Sequence, residues 1–180
     1  MKPITNKNDK VYTPEHVVNE VLDIFLPMVR KDETILEPFR GTGNFYTKFP
    51  KKQRAWCEID NGRDFLMCQK KYDWIITNPP YSSFGVMLSK MLSIADKLVL
   101  VIPVNKLLSS LPKLIDIIRY GSNIKKIHYL GSGRQIGFPF GFPVAAVYIE
   151  RDYIGPIIMS YADRCGIRNV KKSISLFKLK

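Results

Sequence analysis

The run Asp73-Trp74-Ile75-Ile76-Thr77-Asn78-Pro79-Pro80-Tyr81 limits what this chain can fold into more than any other stretch. Its apolar first half predicts a buried strand. Two consecutive prolines then end it, since neither can donate to a ladder and each fixes its own φ. The strand must pass into a stiff, extended loop that presents an amide, Asn78, and an aromatic ring, Tyr81. Open α/β sheets place their ligands at the carboxyl ends of strands. A rigid backbone with one acceptor and one stacking surface suits a planar ligand that carries an amine. The plain alternative is a proline-stiffened turn that binds nothing, and the flanking sequence weighs against it.

Upstream, Thr34-Ile35-Leu36-Glu37 predicts a short strand leading into Pro38-Phe39-Arg40-Gly41-Thr42-Gly43, with a helix expected to follow. Strand, glycine turn and helix form the first unit of a doubly wound nucleotide-binding fold. Gly41 and Gly43 let backbone approach a ligand, and Glu37 puts a carboxylate at the strand end. Arg54 to Asp60 predicts the second strand, ending in acids, with Glu58 falling 21 residues after Glu37. A carboxylate there can accept from both hydroxyls of a ribose. Close behind stand Asp64, able to accept from an adenine amine, and Phe65, able to cover its face. Before all of these, Thr13 and Pro14 read as the N-cap and first residue of a helix. Val17, Val18, Val21, Leu22, Phe25 and Leu26 give it an apolar face, and Pro27 ends it.

Downstream, an amphipathic helix is expected over Val86 to Ile94 and a buried strand over Lys97 to Val104. One or two short helices over Leu107 to Leu111 and Leu114 to Ile118, split by Pro112, follow, then strands over Ile124 to Leu130 and Val144 to Glu150. The connector between these strands holds Phe138, Phe140 and Phe142 among glycines and prolines. Phenylalanines in such a loop are costly unless they pack or bind. Residues 1–10 read as a loose basic arm. Residues 151–180 read as a strand-like piece with a basic extension bearing Arg164, Arg168, Lys171, Lys172, Lys178 and Lys180.

Length argues for one domain, 1–180, with room for a real core. Twenty-eight Lys and Arg against 16 Asp and Glu leave a net charge of +12, which favours a polyanion, nucleic acid above all. Cys57, Cys68 and Cys165 have no spacing that supports a disulfide framework or a zinc site, so no metal is expected. Neither a signal peptide nor a membrane span is legible, and the expected compartment is the cytoplasm.

Strand, Glu-Pro-x-x-Gly-x-Gly, acidic second strand and Asn-Pro-Pro-Tyr, in this order, resemble the S-adenosylmethionine-dependent amino-methyltransferases, DNA adenine-N6 methyltransferases above all. The likeness runs from about Tyr12 to about Glu150. It implies an α/β class I methyltransferase fold: a Rossmann-like doubly wound sheet, mostly parallel with one antiparallel strand near the C-terminus, and reduced in helices. It implies S-adenosylmethionine as cofactor, leaving as S-adenosylhomocysteine, and DNA as partner. Tyr12, Thr13 and Pro14 would lie against its methionine part. Glu37, Pro38, Phe39, Gly41 and Gly43 would form the cofactor loop. Glu58 would hold the ribose, with Ile59 beside the adenine and Asp64 and Phe65 in contact with it. Asn78, Pro79, Pro80 and Tyr81 would form the catalytic loop. Phe138, with Phe140 as the alternative, would sandwich the target base against Tyr81. The family's setting in restriction–modification implies a prokaryotic or phage-infected cell.

The departures from that pattern carry expectations too. Only five residues separate Glu58 from Asp64, so the helix that joins the second and third strands should be missing or reduced to a turn, leaving one face thinly covered. Thirteen residues between Asp64 and Asn78 leave no room for a target-recognition insert. Recognition is then short or weak, or falls to a second copy or a separate subunit. No Pro-Cys pair supports covalent cytosine chemistry. Rival readings are the same transfer to adenine in RNA or to a protein glutamine, and a non-catalytic nucleic-acid-binding subunit of a larger methyltransferase complex.

Overall fold

The structure, a computed structural model, describes residues 11–162; the basic arm at 1–10, Cys165 and the basic tail from Arg164 lie outside the described residues. In chain order the elements are α1 (Glu15–Phe25), β1 (Ile35–Glu37), β2 (Arg54–Trp56), β3 (Tyr72–Thr77), α2 (Phe84–Ile94), β4 (Ala95–Pro103), α3 (Val104–Leu108), α4 (Leu111–Arg119), β5 (Ser122–Ser132), β6 (Pro143–Arg151) and β7 (Ile158–Tyr161). The strands form one sheet in the order β2-β1-β3-β4-β6-β5-β7. Strand β6 pairs antiparallel with both neighbours, and every other described pairing is parallel. The mostly parallel, doubly wound sheet with one antiparallel strand near the C-terminus is thus present.

Strand alternation divides the core in two. Leu98, Leu100 and Ile102 of β4 face one side, where Leu88, Met91 and Leu92 of α2, Leu107 of α3 and Ile117 of α4 cover them. Val99 and Val101 face the other, where α1 brings Val17, Val18, Val21, Leu22 and Phe25. These are the positions the helical period predicts for α1. At the centre of that face Trp74 and Tyr148 stack at 5.5 Å, and Phe25 meets Tyr148 edge-on at 5.8 Å. No described helix is long and apolar enough to cross a membrane.

Three local expectations fail for identifiable reasons. Helix α1 starts one residue late, with Pro14 at the cap (φ −56°, ψ 144°), its carbonyl accepting from Val17 and Val18 N–H. No α-helix follows the glycine turn: a single 3₁₀ turn, Tyr46–Lys48, is all that forms before Phe49 extends into Pro50. Phe45 and Phe49 are both buried, so the turn is held by its rings rather than by length. The second strand stops at Trp56 instead of Asp60, because Asn61-Gly62 reverses the chain. Gly62 adopts φ 73°, and Glu58 and Arg63 exchange backbone hydrogen bonds at 3.0 and 3.1 Å. Residues 57–71 contribute 3₁₀ turns and no strand, leaving β2 at the sheet edge. The missing helix predicted here is observed: only 3₁₀ turns separate β2 from β3. Phe65 and Cys57 cover the sheet in its place, with Phe39 and Phe65 meeting edge-on at 5.2 Å.

Candidate active site

Strands β1, β2 and β3 are parallel neighbours, so the segments after them emerge at one edge of the sheet. The glycine turn, Glu58 and Asn78 come together there. The segment Val11–Pro14 lies against the glycine turn and Asn78. Asn78 Nδ2 donates to the Val11 carbonyl at 2.9 Å, and Asn44 Nδ2 to the Thr13 carbonyl at 2.9 Å. The Tyr12 ring lies on Gly41, where a Cβ would stand 2.8 Å from Tyr12 Cε1. Gly41 also has φ +51°, so a side chain there would be strained and would displace the Tyr12 ring. Pro14 touches Gly137 of the aromatic connector, with 3.1 Å between its Cγ and the place of a Cβ.

A narrow cleft opens between these segments, lined by Val11, Tyr12, Thr13, Glu37, Phe39, Arg40, Thr42, Asn44, Phe45 and Asn78. Two of its polar atoms, Asn78 Oδ1 and Glu37 Oε2, are buried without a hydrogen-bond partner among the described residues. Buried acceptors are normally satisfied. Because the Asn78 amide nitrogen is engaged by Val11, its oxygen is the atom left for a ligand. Glu37 is 2% exposed. Burial holds its carboxyl well above the usual carboxylate range, against the opposing pull of the Thr77 hydroxyl, which donates to Oε1 at 3.2 Å, and of the Tyr46 N–H.

Glu58 accepts from the Gly41 N–H at 2.6 Å, so its carboxylate sits on the glycine turn. Ile59, beside it, is 44% exposed. Asp64 Oδ1 caps the following 3₁₀ turn by accepting from Leu66 N–H at 2.9 Å, and Phe65 is buried at 3% exposure. Pro38 follows β1 directly, and Gly43 turns the loop at φ +88°.

Tyr81 meets Phe140 edge-to-face, with ring centroids 5.8 Å apart at 77°. Phe138 lies behind Phe140, stacked on it at 5.2 Å, and is 3% exposed within the α1-side core. Phe140 is therefore the ring beside the tyrosine. The two rings leave no slot between them, and a planar group entering there must part them. The connector is shaped for this packing: a Cβ at Gly133 would stand 2.3 Å from the Phe140 carbonyl oxygen.

Sequence reasoning misses Val11, Arg40, Thr42, Asn44 and Thr77. Thr77 and Asn44 carry a faint signal, each adjoining a motif residue. The Val11 carbonyl carries none, because a backbone acceptor 67 residues from Asn78 is invisible without the fold. Among the described residues no group of three or more His, Cys, Asp or Glu could hold a metal ion. The residues do fit a nucleoside-bearing cationic cofactor: an orphaned buried carboxyl oxygen on Glu37, a glycine turn pressed against a ring, and a carboxylate just past the second strand's end.

No family model matches the chain, and no curated protein matches it in sequence. Solved structures do match it. A candidate class I S-adenosylmethionine-dependent methyltransferase from Listeria monocytogenes superposes with a TM-score of 0.66 at 12% identity, covering 94% of this chain and 71% of that one. The methyltransferase subunit of a type I restriction-modification system from Streptococcus thermophilus gives 0.61 at 14% identity, covering 91% and 53%, so this chain spans about half its length. Magnesium protoporphyrin IX methyltransferase from Synechocystis PCC 6803, solved with S-adenosylmethionine bound, gives 0.55 at 13% identity, covering 76% and 79%. What this chain shares with all three is the class I methyltransferase fold.

Proposed function

We propose that this chain is an S-adenosylmethionine-dependent methyltransferase acting on the exocyclic N6 amine of adenine in DNA. One observation carries the reading: Asn78 Oδ1 is buried, unpartnered among the described residues and oriented by Val11 into a cleft it shares with Glu37. The likeness of the fold supports the reaction class. The net charge of +12 supports a nucleic acid over a protein side chain.

S-adenosylmethionine supplies, when bound, a methyl group on a positively charged sulfur. The ionised Glu37 carboxylate would face its cationic amino group, and Glu58 would accept from its ribose hydroxyls. On the acceptor side, an adenine amine is a poor nucleophile because its lone pair is spread into the ring. Asn78 Oδ1 and the Pro79 carbonyl would each accept one amine hydrogen, favouring a pyramidal nitrogen whose lone pair points outward. Pro79 and Pro80 hold those acceptors in place, which is positional and electrostatic catalysis. A base within a duplex cannot reach such a pocket, so it must leave the stack, and Tyr81 with Phe140 would receive it.

The test is transfer of labelled methyl from S-adenosylmethionine to duplex DNA, single-stranded DNA, RNA and protein, followed by identification of the methylated residue. N6-methyladenine in DNA is expected. Label confined to RNA adenine or to glutamine would overturn the substrate, and absence of cofactor binding would overturn the reaction class. Asn78→Ala should reduce transfer at least a hundredfold while the cofactor dissociation constant stays within about threefold; near-normal turnover would remove Asn78 from the chemistry.

A further inference from the structure

The aromatic connector does not stop at Phe140. Phe142 continues it outward, its ring 6.2 Å from that of Phe140 and tilted by 36°. Tyr81, Phe140 and Phe142 therefore form a staircase running from the Asn78-Pro79-Pro80-Tyr81 loop to the surface, where Phe142 is 53% exposed. A half-exposed phenylalanine forgoes about half of the 1.5–3 kcal/mol that full burial gives. This one is also held in place. Its carbonyl accepts from Gly133 N–H at 2.9 Å, the preceding Gly141 carbonyl accepts from the Ser132 hydroxyl at 3.1 Å, and the next residue, Pro143, pairs with Ser132 at the start of β6. A ring fixed in the open by its own backbone is presented rather than loose. Arg134 lies beside the preceding residue, its Cδ and Nε 4.0 Å from where a Cβ of Gly141 would stand.

We infer that Phe142 stacks on the duplex at the place a target base leaves, with Arg134 placed for the neighbouring phosphate. This rests on the reading of the chain as a methyltransferase of DNA bases. Extruding a base leaves two faces unstacked, and an aromatic ring recovers that loss without regard to sequence. Tyr81 and Phe140 serve the extruded base, whereas Phe142, outside them, serves the strand it came from. It is a positioning residue for duplex substrates and has no part in the transfer itself.

The experiment compares methyl transfer by the native chain, Phe142→Ala and Phe142→Trp on mixed-sequence duplex DNA and on the same DNA as single strands. Phe142→Ala should lose about tenfold or more of kcat/KM on duplex and stay within about twofold of native on single strands, while Phe142→Trp retains duplex activity. A readout independent of transfer comes from the tryptophan emission of Phe142→Trp, which duplex DNA should quench beyond any change in the native protein. Unchanged duplex kinetics in Phe142→Ala, an equal loss on both substrates, or no added quenching would each overturn the inference. Native protein that methylates no DNA at all would instead bring down the proposed function, and the inference with it.

Discussion

Glu37 and Glu58 occupy one sheet edge but differ in environment, and the difference predicts different behaviour. Glu37 is buried with Oε2 unpartnered among the described residues, and its carboxyl keeps its proton to a higher pH than an exposed glutamate does. A cationic amino group arriving beside it favours the charged form and draws the pKa back down. Cofactor binding in mildly acidic buffer should therefore release protons, read as a dependence of binding enthalpy on the buffer's ionisation enthalpy; Glu37→Gln should abolish that dependence. Glu58 already accepts from Gly41 N–H at 2.6 Å. Replacing it removes hydrogen bonds to a charged acceptor, worth about 1.5–3 kcal/mol. Titration should show Glu58→Ala weakening the cofactor about 10- to 100-fold, and an unchanged dissociation constant would exclude it from the ribose.

At the opposite end of the sheet, a buried carboxylate ties together β1, β3 and β4. Glu33, just before β1, is 2% exposed. It accepts from Trp74 Nε1 of β3 at 2.8 Å, Lys97 Nζ of β4 at 2.6 Å and Arg30 N–H at 2.9 Å. Burial alone would raise its pKa, but these bonds and the Lys97 charge outweigh it and lower the pKa to about 2. Because the folded value lies below the unfolded one of about 4.3, the stability it contributes is complete above that unfolded value and is lost as pH falls toward 2. Lys97→Met leaves Glu33 with the Arg30 guanidinium at 3.3 Å and the bonds from Trp74 and Arg30 N–H, and removing one charged hydrogen bond from this set should cost about 1.5–3 kcal/mol at neutral pH. Urea unfolding should show that deficit shrinking below about pH 4.3 as Glu33 takes up a proton. A deficit that does not vary with pH would mean the lysine acts through packing alone. The α-helix expected after Gly43 fails at this same scale, since two buried phenylalanines and Pro50 leave room for one 3₁₀ turn.

For the molecule as a whole, the charge of +12 sets how it should meet a polyanion. Neutralising phosphates releases counterions, so affinity for duplex DNA should fall linearly on a log–log plot against salt concentration. Filter binding across a salt series tests this, and a flat plot would remove electrostatic docking from the reading. The fold reaches its site with few helices: β2 stands at the sheet edge, and residues 57–71 cross there without a strand. The sequence by itself determined whatever is local. Paired prolines end β3 beside Asn78, paired glycines shape the turn after β1, and period and alternation set the faces of α1 and β4. Only the tertiary structure decided what depends on distant neighbours. It chose Val11's carbonyl as the partner that turns the Asn78 oxygen into the cleft, placed Phe140 rather than Phe138 beside Tyr81, and left residues 57–71 without a strand. Patterning says that a side chain wants burial or a hydrogen bond, whereas which partner it meets is fixed by how loops far apart in the chain pack at one edge of the sheet.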